Sequence, residues 1–355
     1  MNRVDRVIEK LNERGLSQLL VTDPRSIFYL TGVSVEPGER FFALLVKTDG
    51  DMTLFANRLF ALPRDVGIET VWLGDTDIVS DAVSGRIDAA SDLGADKTTA
   101  ARFLIPIQEK MAGGRTVLAS DCVDWVRAVK DGDELEKMRE ASRINDTVMG
   151  ETAAYIRAGA TEKEIADYLV SRYAHYGCEG VSFEPIVSFG ANAADPHHMP
   201  DGTVIGEGDC AVIDIGCRKN GYCSDMTRTF FLGKAEPEHS AVYGLVREAN
   251  ERAEAIVRPG VRLCDIDAAA RDHIAAAGYG EYFTHRLGHF IGLEVHEYGD
   301  VSAAFKKPVE PGMCFSIEPG IYLPGKLGVR IEDLVTVTER GCEVLNGFSK
   351  DLRVL

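Results

Sequence analysis

Residues 211–230 read AVIDIGCRKNGYCSDMTRTF. Two apolar, β-prone runs flank CRKNG, a turn signal, so the stretch predicts an antiparallel hairpin. Each run carries one acid: Asp214 between Ile213 and Ile215, and Asp225 just past the turn. Carboxylates inside buried strands are costly unless something positive meets them. A turn centred on Lys219-Asn220 sets Asp214 and Asp225 directly opposite each other. A turn centred on Asn220-Gly221 pairs Asp225 with Gly216 and leaves it diagonal to Asp214. Both registers keep the two carboxylates on one face, within reach of a shared cation, and without a cation they repel.

The same design recurs downstream. MCFSIEPGIYLPGKLGVRIEDLV, residues 313–335, carries Glu318 and Glu332 on either side of Pro324-Gly325-Lys326, and a hairpin folded about Gly325 pairs them. Between the two hairpins lies THRLGHFIGLEVHE, residues 284–297, with His285, His289 and His296, three of the chain's eight histidines. His197 and His198 sit in a loop-like stretch, ANAADPHHMPDG. Four carboxylates and one imidazole suit two divalent cations that share bridging carboxylates and activate a water. The oxygen-rich set favours Mn²⁺, then Co²⁺ or Fe²⁺, over a closed structural zinc site, with Zn²⁺ remaining an alternative.

The rest of the chain frames this constellation. At 355 residues, 45% hydrophobic, it is long enough for two or three domains. A net charge of −17 with no Lys/Arg-rich block argues against nucleic acid and anionic membranes as partners. The N-terminus, MNRVDRVIEKLNERG, is charged and amphipathic rather than signal-like, and no apolar run is long enough to span a membrane. Eight cysteines without a CxxC pair read as reduced thiols of a cytoplasmic protein.

Val4, Val7, Ile8 and Leu11 predict an opening helix stopped by Gly15. LSQLLVTD then reads as a strand, SIFYLTG as a helix, FFALLVK and MTLFAN as a hairpin about Asp49-Gly50, and IETVWLGD and RTVLASD as further strands. This alternation predicts an α/β domain over residues 1–128, with the boundary near 127–132. A long helix capped by Asp131 or Asp133 follows, then one capped by Thr161. Asn145 heads a formal glycosylation sequon inside the first of these helices and is read as unmodified.

The set Asp214, Asp225, His289, Glu318 and Glu332, in that order, resembles the metallopeptidases of the pita-bread fold: methionine aminopeptidase, aminopeptidase P, proline dipeptidase and creatinase. The resemblance implies an α+β pita-bread catalytic domain over residues 129–355 and two divalent ions per subunit. Asp214 would bind one ion, His289 and Glu318 the other, with Asp225 and Glu332 bridging. DPRSIFYLTG makes residues 1–128 look like the N-terminal α/β domain of the creatinase and prolidase branch, which argues against methionine aminopeptidase. GYGEYFTHRLGH, GMCFSIEPGIYLPG and GVRIED look most like bacterial proline dipeptidases.

The implied reaction is hydrolysis of the Xaa-Pro bond of a small peptide, releasing proline from dipeptides. The alternatives are an aminopeptidase P acting on longer peptides, a creatinase-like hydrolase of another small amide, and a non-catalytic binding relative. By the same resemblance Glu318 shuttles a proton besides binding metal, and His296 steadies the tetrahedral intermediate or holds substrate. His197 contacts substrate, His285 borders the proline pocket, and Arg330 supports nearby carboxylates at the substrate site. His198 reads as a bystander and Tyr222 as a supporting contact. Some prolidases carry a basic residue shortly after the His-Glu pair that binds the substrate's free carboxylate; HEYGDVSAAF offers Asp300 there. Resemblance also implies a homodimer.

Overall fold

In the computed structural model, which describes residues 2–63 and 66–355, the chain divides into two units, Met1–Arg127 and Ala128–Leu355. The first opens with helix Arg3–Glu13, capped by an Asn2–Asp5 capping box and burying Val7 and Leu11. Its described residues form a six-stranded mixed sheet in the order Glu69–Leu73, Met52–Asn57, Ala43–Lys47, Gln18–Val21, Leu93–Ala95, Thr116–Leu118. The predicted hairpin pairs Leu45 with Thr53. Leu20, Leu45, Phe55 and Leu93 are wholly buried at its centre.

The second unit repeats one plan twice. Helices Gly132–Tyr155 and Glu162–His175 precede the hairpin of strands Cys210–Ile215 and Met226–Phe231. Helices Pro237–Ile256 and Leu263–Ala276 precede the hairpin of strands Cys314–Ile317 and Asp333–Val337. Asp131, with Glu134, forms a capping box on the first helix, and Thr161 caps the second.

The first hairpin adopts the Asn220-Gly221 register. Thr227 lies opposite Asp214, and Arg218 opposite Cys223. Asn220 at φ 51° and Gly221 at φ 78° both occupy the left-handed region, as a two-residue type I′ turn requires, and this excludes the Lys219-Asn220 centre. The second hairpin folds about Gly325, with Tyr322 opposite Gly328 and Ile317 opposite Asp333.

Both hairpins pass from one sheet to another without losing register, and the acids sit at the crossings. Strand Cys210–Ile215 belongs to a four-stranded sheet, whereas Cys217–Lys219 belongs to a three-stranded one. Cys314–Ile317 belongs to a five-stranded sheet, whereas Gly320–Leu323 pairs with Leu327–Arg330 in a two-stranded one. A break in a ladder strands backbone carbonyls, which must find partners in a buried setting. In each half a wholly buried asparagine of the preceding helix supplies one. Asn145 Nδ2 donates to the Ile215 carbonyl at 2.9 Å, and Asn250 Nδ2 donates to the Ile317 carbonyl at 2.9 Å. Asn145 is therefore a fold residue rather than an acceptor for sugar.

Candidate metal centre

Side chains two apart along a strand share a face. Asp214 and Thr227 face one another across the first hairpin, and Glu318, Tyr322, Arg330 and Glu332 share a face of the second. The hairpins are stitched together there. The Glu332 amide donates to the Thr227 carbonyl at 3.1 Å, and the Thr227 hydroxyl donates to Glu332 Oε2 at 2.7 Å. His289 enters on strand Gly288–Phe290, next to Cys314–Ile317, with its amide on Ser316 Oγ.

Ligand atoms of Asp225, His289 and Glu332 lie within 4.8 Å of one another, and all three residues are buried. His289 Nδ1 faces the Phe290 carbonyl at 3.3 Å, which places the ring proton there and leaves Nε2 with a lone pair. Nε2 stands 3.6 Å from both Asp225 Oδ2 and Glu318 Oε1, beyond hydrogen-bond range. Asp214 joins through Arg330, whose Nη2 donates to its Oδ2 at 2.7 Å. Asp214 Oδ1 and Asp225 Oδ1 are buried without a hydrogen-bond partner among the described residues.

Electrostatics give the same picture. Burial, reinforced by Glu332 and Asp214, pushes the Asp225 carboxyl well above the usual carboxylate range. Burial with Glu318 and Asp214 does the same to Glu332. Burial raises Glu318 to about 7, against the pull of Arg330. Burial, with His296 close by, holds His289 down to about 3, so the imidazole is neutral. Were all four carboxyls ionised against the one guanidinium of Arg330, three negative charges would be uncompensated, and two divalent cations would more than cancel them. Orphaned buried oxygens, a neutral imidazole lone pair and this charge excess fit a pair of divalent ions.

The other predicted site residues divide into cavity walls and scaffolding. His197, His285, His296 and Arg330 line a cavity of about 670 Å³ whose floor carries the acids. His296 packs edge-on against His289, ring centres 4.2 Å apart. His285 has both nitrogens engaged: Nδ1 with the Arg286 carbonyl at 2.7 Å, Nε2 with the Tyr322 hydroxyl at 2.9 Å. Burial and the Arg330 charge lower it to about 4, so it presents a neutral ring face to the cavity. Tyr222 turns away and donates to Glu134.

His198, a bystander to the cavity chemistry, is a tether for the loop. Wholly buried Glu162 accepts from His198 Nε2 at 2.8 Å, from the Phe189 and Asp201 amides, and from Asn192 Nδ2. This knot fixes the loop that carries His197. Gly328 lets the loop press closer still, since a Cβ there would stand 1.7 Å from the Ala193 carbonyl oxygen.

Residues 136–339 match metallopeptidase family M24, and residues 3–129 match the creatinase/prolidase N-terminal domain. The chain belongs to metallopeptidase family M24. An uncharacterized peptidase of Staphylococcus aureus is 36% identical over 361 residues, covering 99% of this chain and 100% of that protein. A dipeptidase from Pyrococcus horikoshii OT3 superposes with a TM-score of 0.92 at 35% identity, covering 99% of this chain and 100% of that one. A prolidase from Thermococcus sibiricus superposes with a TM-score of 0.90 at 33% identity, covering 99% and 98%. Among the described residues no helix is long and apolar enough to cross a membrane.

Two residues of this M24 centre escape sequence reasoning. Thr227 donates to Glu332 and accepts from Arg330 Nε at 3.0 Å; Tyr322 accepts from Arg330 Nη1 at 2.8 Å and serves His285. Their signal is positional. Thr227 lies two residues from Asp225 and Tyr322 four from Glu318, so strand periodicity alone sets them on the acids' faces.

Proposed function

We propose that this chain is an Xaa-Pro dipeptidase that works with two divalent cations, manganese first, held by Asp214, Asp225, His289, Glu318 and Glu332. The observation that carries this reading is the convergence of two orphaned carboxylate oxygens and a bare imidazole nitrogen on the floor of a cavity. When bound, such cations acidify a water and polarise the scissile carbonyl. As the family resemblance implies, Asp225 and Glu332 would be shared by both cations, with Asp214 holding one and His289 with Glu318 the other.

The chain's own residues do the rest. Glu318 Oε1 accepts from Ser316 Oγ at 3.2 Å, which steadies the carboxyl that takes a proton from water and passes it to the departing proline nitrogen. His296 and His197 hold the peptide at the cavity wall. Arg330 fixes Asp214 and relays through Tyr322 to the His285 ring. Phe183, Ile186 and Val295 supply apolar wall that suits a proline ring. The proline nitrogen has no N–H in an X-Pro bond, so this wall needs no acceptor for it. Eight free thiols support a reducing, cytoplasmic setting, and family resemblance supports a homodimer.

Turnover of Ala-Pro, Met-Pro and Ala-Pro-Ala by the protein loaded in turn with Mn²⁺, Co²⁺ and Zn²⁺ tests the reading. Proline release from the dipeptides, greatest with Mn²⁺, is expected. Cleavage of Ala-Pro-Ala but not Ala-Pro would assign an aminopeptidase instead, and no turnover at full metal occupancy would reject X-Pro hydrolysis.

A further inference from the structure

Two guanidinium groups line the cavity, and only one is spent. Arg330 is 2% exposed, and its Nε, Nη1 and Nη2 all have partners in Thr227, Tyr322 and Asp214. Arg286 lines the same cavity with 38% of its side chain exposed. Its Nη1 donates to Asp300, and its Nε–H and Nη2 groups make no other hydrogen bond among the described residues. Arg286 shares the cavity lining with His289, His296 and Glu318, so the pair stands beside the reacting groups.

The cavity is otherwise acidic, with Glu184, Asp214, Asp225, Glu318 and Glu332 along it. In an X-Pro dipeptide the free carboxylate lies about one residue's length, roughly 4 Å, beyond the scissile carbonyl. Even with cations bound among these acids, such a group loses its water on entering the cavity and needs hydrogen-bond donors in exchange. A guanidinium held at one nitrogen by a carboxylate keeps its remaining donors in a fixed plane, and those donors match the two oxygens of a second carboxylate. An amide or a further residue after proline brings no charge to that position.

We infer that Arg286, oriented by Asp300, is the specificity residue that recognises the free α-carboxylate of the substrate and so selects peptides ending at proline. The inference rests on the dipeptidase reading above and names the residue that enforces its length limit.

The test compares Ala-Pro with Ala-Pro-amide in the wild type, R286Q, R286K and D300N. Calorimetric binding of proline and prolinamide provides a readout free of turnover. The wild type should favour the free acid in both measurements. R286Q should raise KM for Ala-Pro roughly 10- to 100-fold, the loss of charge-assisted hydrogen bonds, with kcat and the amide little changed. R286K, which keeps the charge but not the fork, should fall between. D300N should weaken discrimination while leaving it present. Equal losses on acid and amide in R286Q and R286K, or a wild type that turns over both alike, overturn the role of Arg286 and leave X-Pro hydrolysis standing. A wild type with full metal occupancy that hydrolyses neither substrate overturns both. Should R286Q misfold by circular dichroism, the R286K and D300N ratios decide.

Discussion

Replacing Glu318 by Gln should stabilise the protein without metal and shrink its response to metal, a pairing that few substitutions could produce by accident. Glutamate titrates near 4.5 in an unfolded chain, and burial moves Glu318 to about 7 in the fold. Between those values the folded protein holds a proton that the unfolded chain has released, so stability falls as pH rises through that window. Above pH 7 the whole penalty is present. About 2.5 units at 1.36 kcal/mol each is ~3 kcal/mol. Gln carries no charge and keeps an acceptor for Ser316, so E318Q should regain most of this at pH 8 and none at pH 4. For a unit of this size the gain corresponds to up to about 10 °C in Tm.

Divalent cations narrow that gap, because they favour the ionised carboxylates. Free Mn²⁺ at 100 times its Kd would stabilise the wild type by about 2.7 kcal/mol, and a variant that has lost the ligand would forgo much of that. Thermal unfolding at pH 4 and pH 8, with chelator and with Mn²⁺, reads all four conditions. The reasoning fails if E318Q is no more stable than wild type at pH 8 in chelator, or if the two respond equally to Mn²⁺.

Three further outcomes follow from the same geometry. Thr227→Val removes the hydroxyl shared by Glu332 and Arg330, and metal titration should show affinity reduced about 10- to 100-fold with the fold retained. Asn250→Ala strands the buried Ile317 carbonyl beside Glu318 and should cost about 1–3 kcal/mol in denaturant melts; Asn145→Ala should do the same beside Asp214. Gly328→Ala forces a methyl into the Ala193 carbonyl, so the His197 loop must shift, and kinetics should show a raised KM for Ala-Pro in whatever protein folds.

The α/β-plus-α+β architecture is legible in the sequence because its signals are local. Alternation of apolar runs, turn residues and caps such as Asp131 and Thr161 act within a few residues. The hairpin about Asn220-Gly221 is a case between: composition leaves two centres open, and the positive φ that Gly221 tolerates selects one. Thr227 and Tyr322 stay hidden because a strand Thr or Tyr is ordinary. Only their neighbours across the hairpins make them part of a network. His198 is hidden for the converse reason. Next to His197 in sequence, it turns to Glu162, a partner 36 residues earlier.

Strand periodicity and residue chemistry alone determine that this chain has two acid-bearing hairpins and a histidine-rich segment between them. Tertiary structure alone decides that Glu332 reaches Thr227, that Asp225, His289 and Glu332 crowd within one small volume, and that Arg286 rather than Arg330 keeps donors open to the cavity. The physical reason is separation along the chain. Thr227 and Glu332 are 105 residues apart, and contacts at that range depend on how sheets cross and ladders break, which no local pattern encodes.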